Sequence, residues 1–172
     1  MKIFIAALLF LLLLPNVNAE ARDRKARLRR DAKPVTEIVA GYSDIFAQIL
    51  KRAEKEIQIK KDAELLAEVI YHENWHTDSE HLAAYYTGAV VMNRVRSDKF
   101  PDSIHGVLYE RGQYCTTKKF YTETIPAECY QMAEDIIRNG TPDVPANVVY
   151  QAMFKQGKGT WKKVKTDYFC FG

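Results

Sequence analysis

The sequence predicts an α+β fold, in which a mainly helical domain is closed by a small C-terminal antiparallel sheet. Apolar residues recur at three- and four-residue spacing along most of the chain after residue 43, which is typical of amphipathic helices. The C-terminal end instead holds two β-prone runs, residues 148–150 and 168–171, separated by glycines. A chain of 172 residues is long enough for one such domain with a buried core.

The first residues, 1–19, have the order of a secretory signal peptide. Lys2 precedes an unbroken apolar run over residues 3–14, and Ala19 provides a small residue at a cleavage point. The alternative is a membrane anchor, but a span needs about 20 apolar residues and this run is shorter. We therefore expect cleavage near Ala19, a secreted protein, and no stable membrane span.

Residues 20–42 are predicted to form a basic tether. Between Arg22 and Lys33 lie seven lysines or arginines against two aspartates, with almost nothing apolar. Such a run cannot bury itself, so we expect it to be solvated and able to hold the protein near an anionic polymer. Outside a cell, this means teichoic acid, peptidoglycan or a membrane surface. No aromatic residue interleaves the basic ones, which argues against nucleic acid as a partner.

The next pattern predicts two consecutive helices. Residues 43–61 form an amphipathic helix with Ser43 as its N-cap, which serves as a spacer or as a brace for the core. Asp62 opens the second helix, whose apolar stripe continues to a predicted end near His76. We place the main domain at residues 62–172.

Turn signals divide the remaining helical region. Thr77 and Glu80 fit a capping box, which would start a third helix that runs through Val95. A short helix is expected over residues 102–109. A further helix is expected over residues 126–140, with proline in its first turn and glycine just past its end.

Cys115, Cys129 and Cys170 are the three cysteines, and export makes an oxidising environment possible. At most one disulfide can form within the chain. We favour Cys115 with Cys129, because the short segment between them is easily looped. The alternative is three reduced, buried thiols.

The residues that can do chemistry concentrate between positions 71 and 81. Glu73 lies on or beside the apolar face of its helix, where loss of water raises the pKa of a carboxyl group. A raised pKa is the condition for a general acid in glycoside cleavage. Flat faces for sugar rings are offered by Trp75, Tyr85, Tyr86 and Tyr114. The alternative is an ordinary exposed glutamate with aromatic residues in the core.

The segment 72–76 also matches the H-E-x-x-H pattern of zinc peptidases, in which two histidines one helical turn apart hold the metal. The glutamate would then activate a zinc-bound water. The longer metzincin pattern requires a glycine at 79 and a histidine at 82, where this chain has Ser79 and Leu82. His81 is one residue early, which leaves Glu80 or another downstream carboxylate as the third ligand.

Several segments, taken in their order along the chain, resemble one known family, and together they are more specific than the five-residue H-E-x-x-H pattern. They are residues 66–73, 88–95, 100–104, 107–114, 148–152 and 168–169. They resemble the catalytic domain of the SleB-type cell wall hydrolases, the spore cortex-lytic enzymes that degrade peptidoglycan. The resemblance covers residues 65–171 and implies a lysozyme-like fold with Glu73 at the position of the family's catalytic glutamate. The family usually follows that glutamate with Ala-Arg-Gly-Glu, so its second acid is not at the usual offset, and Glu80 is the nearest substitute.

The resemblance implies cleavage of the β-1,4 bond between N-acetylmuramic acid and N-acetylglucosamine by a lytic transglycosylase route. That route needs one carboxyl group, since the muramic acid 6-hydroxyl replaces water as the nucleophile. A simple hydrolase would want a second carboxylate. Besides Glu73 as the catalytic residue, we expect substrate contacts from six residues: Trp75, Glu80, Asn93, Arg94, Gln113 and Tyr114.

We expect peptidoglycan glycan strands as the partner, no cofactor, no metal, and a monomer. Two other functions stay open at this point. One is a zinc-dependent amidase or peptidase that uses the segment 72–76. The other is a non-catalytic wall-binding protein that has kept the fold.

Overall fold

The structure is a computed structural model that describes residues 17–31 and 35–172. Residues 1–16, which hold most of the predicted signal peptide, lie outside the described residues. The chain divides into two compact units, residues 1–51 and residues 52–172. Across the described residues, no helix has the length and apolar character needed to cross a membrane.

The predicted tether is helical over much of its length. Helix α1 (Val17–Asp31) contains most of the basic residues. It consists largely of alanine, arginine, lysine and other helix-favouring residues, and it has no glycine or proline. The described side chains from 20 to 29 are exposed, except for the partly buried Ala26.

Helix α2 (Val35–Asn74) replaces the two consecutive helices that the sequence predicted. The predicted starts at Ser43 and Asp62 are wrong, because no glycine or proline lies between these positions to break the helix. Asp62 instead accepts a hydrogen bond on its Oδ1 from Gln58 Nε2 one turn earlier, at 3.0 Å. The apolar residues that were expected to brace the core are exposed: Ile45, Phe46, Ile49, Leu50 and Ile57.

The turn after α2 differs from the predicted capping box. Helix α2 ends at Asn74, two residues before the predicted end, and helix α3 (Leu82–Val95) begins after His81 in the left-handed conformation. Asp78, and not Thr77, caps α3, since its carboxylate oxygens each accept from a backbone N–H, of Leu82 and Ala83, at 2.9 Å.

Helix α3 is the central element, and almost all of its residues are buried. It packs against helix α4 (Ile104–Tyr109), helix α5 (Ala127–Asn139) and strand β1 (Val148–Ala152). Gly88 permits the close approach, because a Cβ atom there would lie 2.6 Å from Ile136 Cδ1. The predicted helices over 102–109 and 126–140 are confirmed within a few residues, and a 3₁₀ turn (Cys115–Lys119) lies between them.

The C-terminal sheet contains β1, β2 (Thr160–Val164) and β3 (Asp167–Phe171). Its strand order is β1-β3-β2 and both pairings are antiparallel. The sequence predicted β1 and β3 but treated β2 as a separator, because glycines precede it and lysines interrupt its apolar residues. Buried Phe169 and Val148 pack with residues of α3 in a second core cluster.

The three cysteines are free, so the predicted Cys115–Cys129 disulfide is wrong. Cys129 lies on the buried face of α5, whereas Cys115 is exposed at the start of the 3₁₀ turn. The alternative of three buried thiols fits Cys129 and Cys170 but not Cys115.

Candidate active site

A cleft of about 390 Å³ lies beside the C-terminal end of α2, in the unit formed by residues 52–172. Helix α2, helix α3, the loop before the 3₁₀ turn, and the end of β1 with the loop that follows it form its walls. The lining residues are Glu73, Arg94, Gly112, Gln113, Tyr114, Tyr150, Gln151, Ala152, Phe154 and Gln156.

Glu73 is partly buried at the wall of this cleft. Burial raises the pKa of its carboxyl group above the ordinary value, and the negative charge of Asp167 raises it further. The hydroxyl of Thr116 donates a hydrogen bond to Glu73 Oε1 at 2.6 Å, which lowers the pKa and fixes the carboxyl. The net effect is an upward shift, which favours the protonated form that a general acid needs.

The end of α2 is held in place by its next residue, Asn74. Asn74 is buried, and its Nδ2 donates to Thr87 Oγ1 on α3 at 2.8 Å. Its Oδ1 accepts a hydrogen bond from Thr77 Oγ1 at 2.8 Å. The two bonds join the last turn of α2 to α3 and to the turn that follows, so the backbone that carries Glu73 is fixed.

Arg94 is 3% exposed and bridges α3 to the sheet. Its Nε donates to the backbone carbonyl of Val149 at 2.7 Å. The guanidinium lies over two aromatic rings, 5.2 Å from the ring centre of Phe100 and 5.3 Å from that of Tyr114. These contacts hold the guanidinium rigidly against the cleft wall.

Three buried polar atoms of cleft-lining residues have no hydrogen-bond partner within the described part of the chain. They are Arg94 Nη1, the Tyr114 hydroxyl and Gln151 Oε1. Burial raises the pKa of Tyr114 to about 12, so its hydroxyl keeps its proton. Unpaired buried polar atoms are costly; others occur elsewhere in the described residues, but these three belong to residues that line one cleft, which favours a site for a polar ligand.

The structure brings together four of the residues that the sequence selected: Glu73, Arg94, Gln113 and Tyr114. Asn93 is buried and acts as a structural tie, since its Nδ2 donates to the carbonyl oxygens of Pro145 at 2.9 Å and Val148 at 3.0 Å. Glu80 is exposed and does not line the cleft.

Trp75 is also outside the cleft lining. It is 7% exposed in the main core, and its ring stacks on His81 with ring centres 3.7 Å apart. Tyr85 and Tyr86 are likewise absent from the cleft lining. Tyr86 packs edge-on against Phe169 in the core.

The sequence reasoning missed one residue that contacts Glu73 and several that line the cleft. Thr116, which fixes Glu73, lies in an unpredicted 3₁₀ turn. Tyr150, Gln151, Phe154 and Gln156 come from the end of β1 and the loop after it. Phe154 is 67% exposed, but a single exposed apolar residue is common on protein surfaces, so its residue type gave no signal in the sequence.

The zinc-peptidase pattern requires both histidines on one helix, and only the first of them lies on it here. His72 is in α2, whereas His76 follows the end of that helix at Asn74. The His72 ring is buried, with Nε2 3.3 Å from Glu68 Oε2 and Nδ1 3.5 Å from Glu123 Oε1. Within residues 17–31 and 35–172, no cluster of three or more histidine, cysteine, aspartate or glutamate side chains has the arrangement to hold a metal.

Comparison with known proteins finds a family and a solved structure that resemble this chain. The family described as Cell Wall Hydrolase matches residues 78–170, a stretch that begins just after Glu73. The catalytic domain of the Bacillus cereus SleB protein is 24% identical with a TM-score of 0.52, over 63% of this chain and 88% of that domain. The likeness confirms the predicted fold class. No curated protein matches.

Proposed function

The chain belongs to the cell wall hydrolase family, and we propose that it acts as a lytic transglycosylase with Glu73 as its single catalytic carboxyl group. It is a cell wall hydrolase that acts on peptidoglycan. The proposed reaction cleaves the β-1,4 bond between N-acetylmuramic acid and N-acetylglucosamine. The observation that carries the proposal is a carboxyl group with a raised pKa at the wall of a polar cleft.

The reaction uses Glu73 twice. The protonated carboxyl group gives its proton to the glycosidic oxygen, and the C–O bond to that oxygen breaks. The resulting carboxylate then takes the proton of the muramic acid 6-hydroxyl while that oxygen attacks the anomeric carbon of the same sugar. The products are a 1,6-anhydromuramic acid end and a free 4-hydroxyl on the next sugar, and Glu73 regains its proton.

The carboxyl content of the cleft favours this route over simple hydrolysis. Among the described residues that line the cleft, Glu73 alone has a carboxyl group. An inverting hydrolase needs a second carboxylate to activate water, and a retaining one needs a second carboxylate as nucleophile. Glu80, the substitute that the sequence offered, is exposed and does not line the cleft.

Export and wall attachment complete the proposal. A signal peptide cleaved near Ala19 would deliver the enzyme to the wall, and the exposed basic side chains from 20 to 29 would bind anionic wall polymers. Deletion of residues 20–40 should weaken sedimentation with purified walls at low salt and have little effect at high salt. Equal sedimentation of the deletion variant and the unchanged protein at low salt would mean that the segment is only a spacer.

The reaction is tested by mass spectrometry of the fragments that the purified protein releases from peptidoglycan, with and without EDTA. We expect 1,6-anhydromuramic acid ends in both conditions. Reducing muramic acid ends would mean hydrolysis, with water as the nucleophile. Cleavage within the peptide or at its amide bond, abolished by EDTA, would contradict the proposal and support the zinc enzyme instead.

A further inference from the structure

The three unpartnered atoms of the cleft form a chemically specific set. Arg94 Nη1 offers an N–H donor, Gln151 Oε1 offers an acceptor, and the Tyr114 hydroxyl can do either. Arg94 and Tyr114 are 3% and 6% exposed, so their positions are set by the core and not by solvent. A ligand that satisfies the set must therefore present both an acceptor and a donor.

The contacts around Arg94 place the three residues close together. Its guanidinium lies over the Tyr114 ring, and its Nε bonds to the carbonyl of Val149, two residues before Gln151 on β1. All three residues line the cleft that contains Glu73. The three residues therefore belong to the lining of the space in which the glycosidic bond would lie.

We propose that Arg94, Tyr114 and Gln151 form a subsite for the 2-acetamido group of the sugar next to the scissile bond. The acetamido carbonyl accepts from Arg94 Nη1, and the acetamido N–H donates to Gln151 Oε1. The Tyr114 hydroxyl closes the site with a second donor to the carbonyl. This inference rests on the proposed function, because it takes the substrate to be an N-acetylated glycan strand.

An anionic group is a poorer match for the same atoms. The guanidinium alone would attract a carboxylate, but Gln151 Oε1 would then face a second acceptor at close range. The Glu73 carboxyl in the same cleft would also repel an anion once it is ionised. A neutral acetamido group satisfies both the donor and the acceptor without adding charge.

The test compares peptide-free glycan strands, the same strands after chemical de-N-acetylation, and de-N-acetylated strands that have been acetylated again. Released fragments are quantified by chromatography and expressed as kcat/KM. We expect de-N-acetylation to lower kcat/KM at least about tenfold, because buried polar groups left unpaired by a substrate analogue are costly. Renewed acetylation should restore the rate.

Variants of the subsite residues test whether these residues cause the discrimination between acetylated and de-N-acetylated strands. Gln151→Met keeps the length of the side chain but removes the amide, and Tyr114→Phe removes one hydroxyl. Each should reduce the ratio of kcat/KM on acetylated strands to that on de-N-acetylated strands, Gln151→Met by about tenfold. Gln131→Met, on the exposed side of α5, is the matched control and should keep the ratio of the unchanged protein.

The outcomes separate the subsite from the reaction. If acetylated and de-N-acetylated strands are cleaved at equal rates, the subsite is wrong and the reaction stands. If the discrimination is present but Gln151→Met and Tyr114→Phe leave it unchanged, the acetamido group binds elsewhere and the assignment is overturned. If no strand is cleaved, the proposed function fails and the subsite fails with it.

Discussion

Two glutamates of helix α2, Glu68 and Glu73, differ in what surrounds them. Glu68 is 1% exposed, and its Oε2 faces His72 Nε2 at 3.3 Å inside the fold, without hydrogen-bond geometry. Glu73, little more than one turn later, lines a cleft in which three buried polar atoms of other lining residues lack partners within the described residues. A carboxyl group enclosed in the core beside a histidine is structural, whereas a carboxyl group at the wall of an open cleft is available for chemistry.

The comparison between Glu68 and Glu73 predicts that substitution of Glu73 causes the largest loss of activity. Replacement of Glu73 by Gln preserves shape but removes the acid, so activity on peptidoglycan should fall by about a thousandfold. The amide carries no charge to desolvate, so at pH 7 the variant should melt no lower than the unchanged protein. Fragment release and circular dichroism melting measure the two properties. Near-full activity of Glu73→Gln would show that Glu73 is not the acid of the reaction.

Glu68→Ala should show the opposite pattern. The substitution leaves a cavity and removes the nearer of the two carboxylates beside His72, so the free energy of unfolding should fall by about 2–5 kcal/mol. Denaturant unfolding measures this loss, and activity assayed well below the melting temperature should stay within about threefold. A variant that folds stably yet has no activity would show that Glu68 takes part in the chemistry.

Phe154 tests whether the cleft that contains Glu73 also binds the substrate. Its exposed ring lines the cleft, so Phe154→Ala should raise KM about fivefold to tenfold while kcat changes little. Met153→Ala is the matched control, because Met153 is 77% exposed but does not line the cleft. Steady-state kinetics on soluble glycan strands measure both variants. Equal effects at the two positions would point to general hydrophobic binding.

Thr116 gives the smallest and most specific effect. Its hydrogen bond favours the ionised form of Glu73, so Thr116→Val should raise the pKa of Glu73 further. The alkaline limb of the pH–rate profile should then move to higher pH, because the acid stays protonated longer. Thr116→Ser retains the hydroxyl and should leave the limb unmoved. A shift of the alkaline limb to lower pH in Thr116→Val would contradict the inference that this hydrogen bond lowers the pKa of Glu73.

The position of Glu73 was predictable because helical periodicity is a local property. The apolar stripe of α2 continues to the end of the helix, and Glu73 lies at its edge before Asn74 closes the last turn. Arg94 and Tyr114 were selected through the resemblance to the cell wall hydrolases, and the structure brings them to the same cleft.

The other features of the site could not be predicted, because they depend on contacts between residues that are distant in sequence. Gln151 and Phe154 join the cleft through the position of the C-terminal sheet, which no periodicity near Glu73 encodes. Trp75 was assigned to substrate because its flat ring could stack on a sugar, but its ring lies in the core and stacks on His81 after the turn that follows Asn74. The left-handed backbone of His81 sets the geometry of that turn, and it cannot be read from residue types alone.

The central claim is that burial at an open cleft makes Glu73 the acid of the reaction. The most direct measurement is a carbon NMR titration of the Glu73 carboxyl group, compared with the pH dependence of kcat/KM. We predict a midpoint above the ordinary glutamate value of about 4.3 that coincides with the alkaline limb of the rate profile. A midpoint at or below the ordinary value, or a rate profile that does not follow it, would contradict the account.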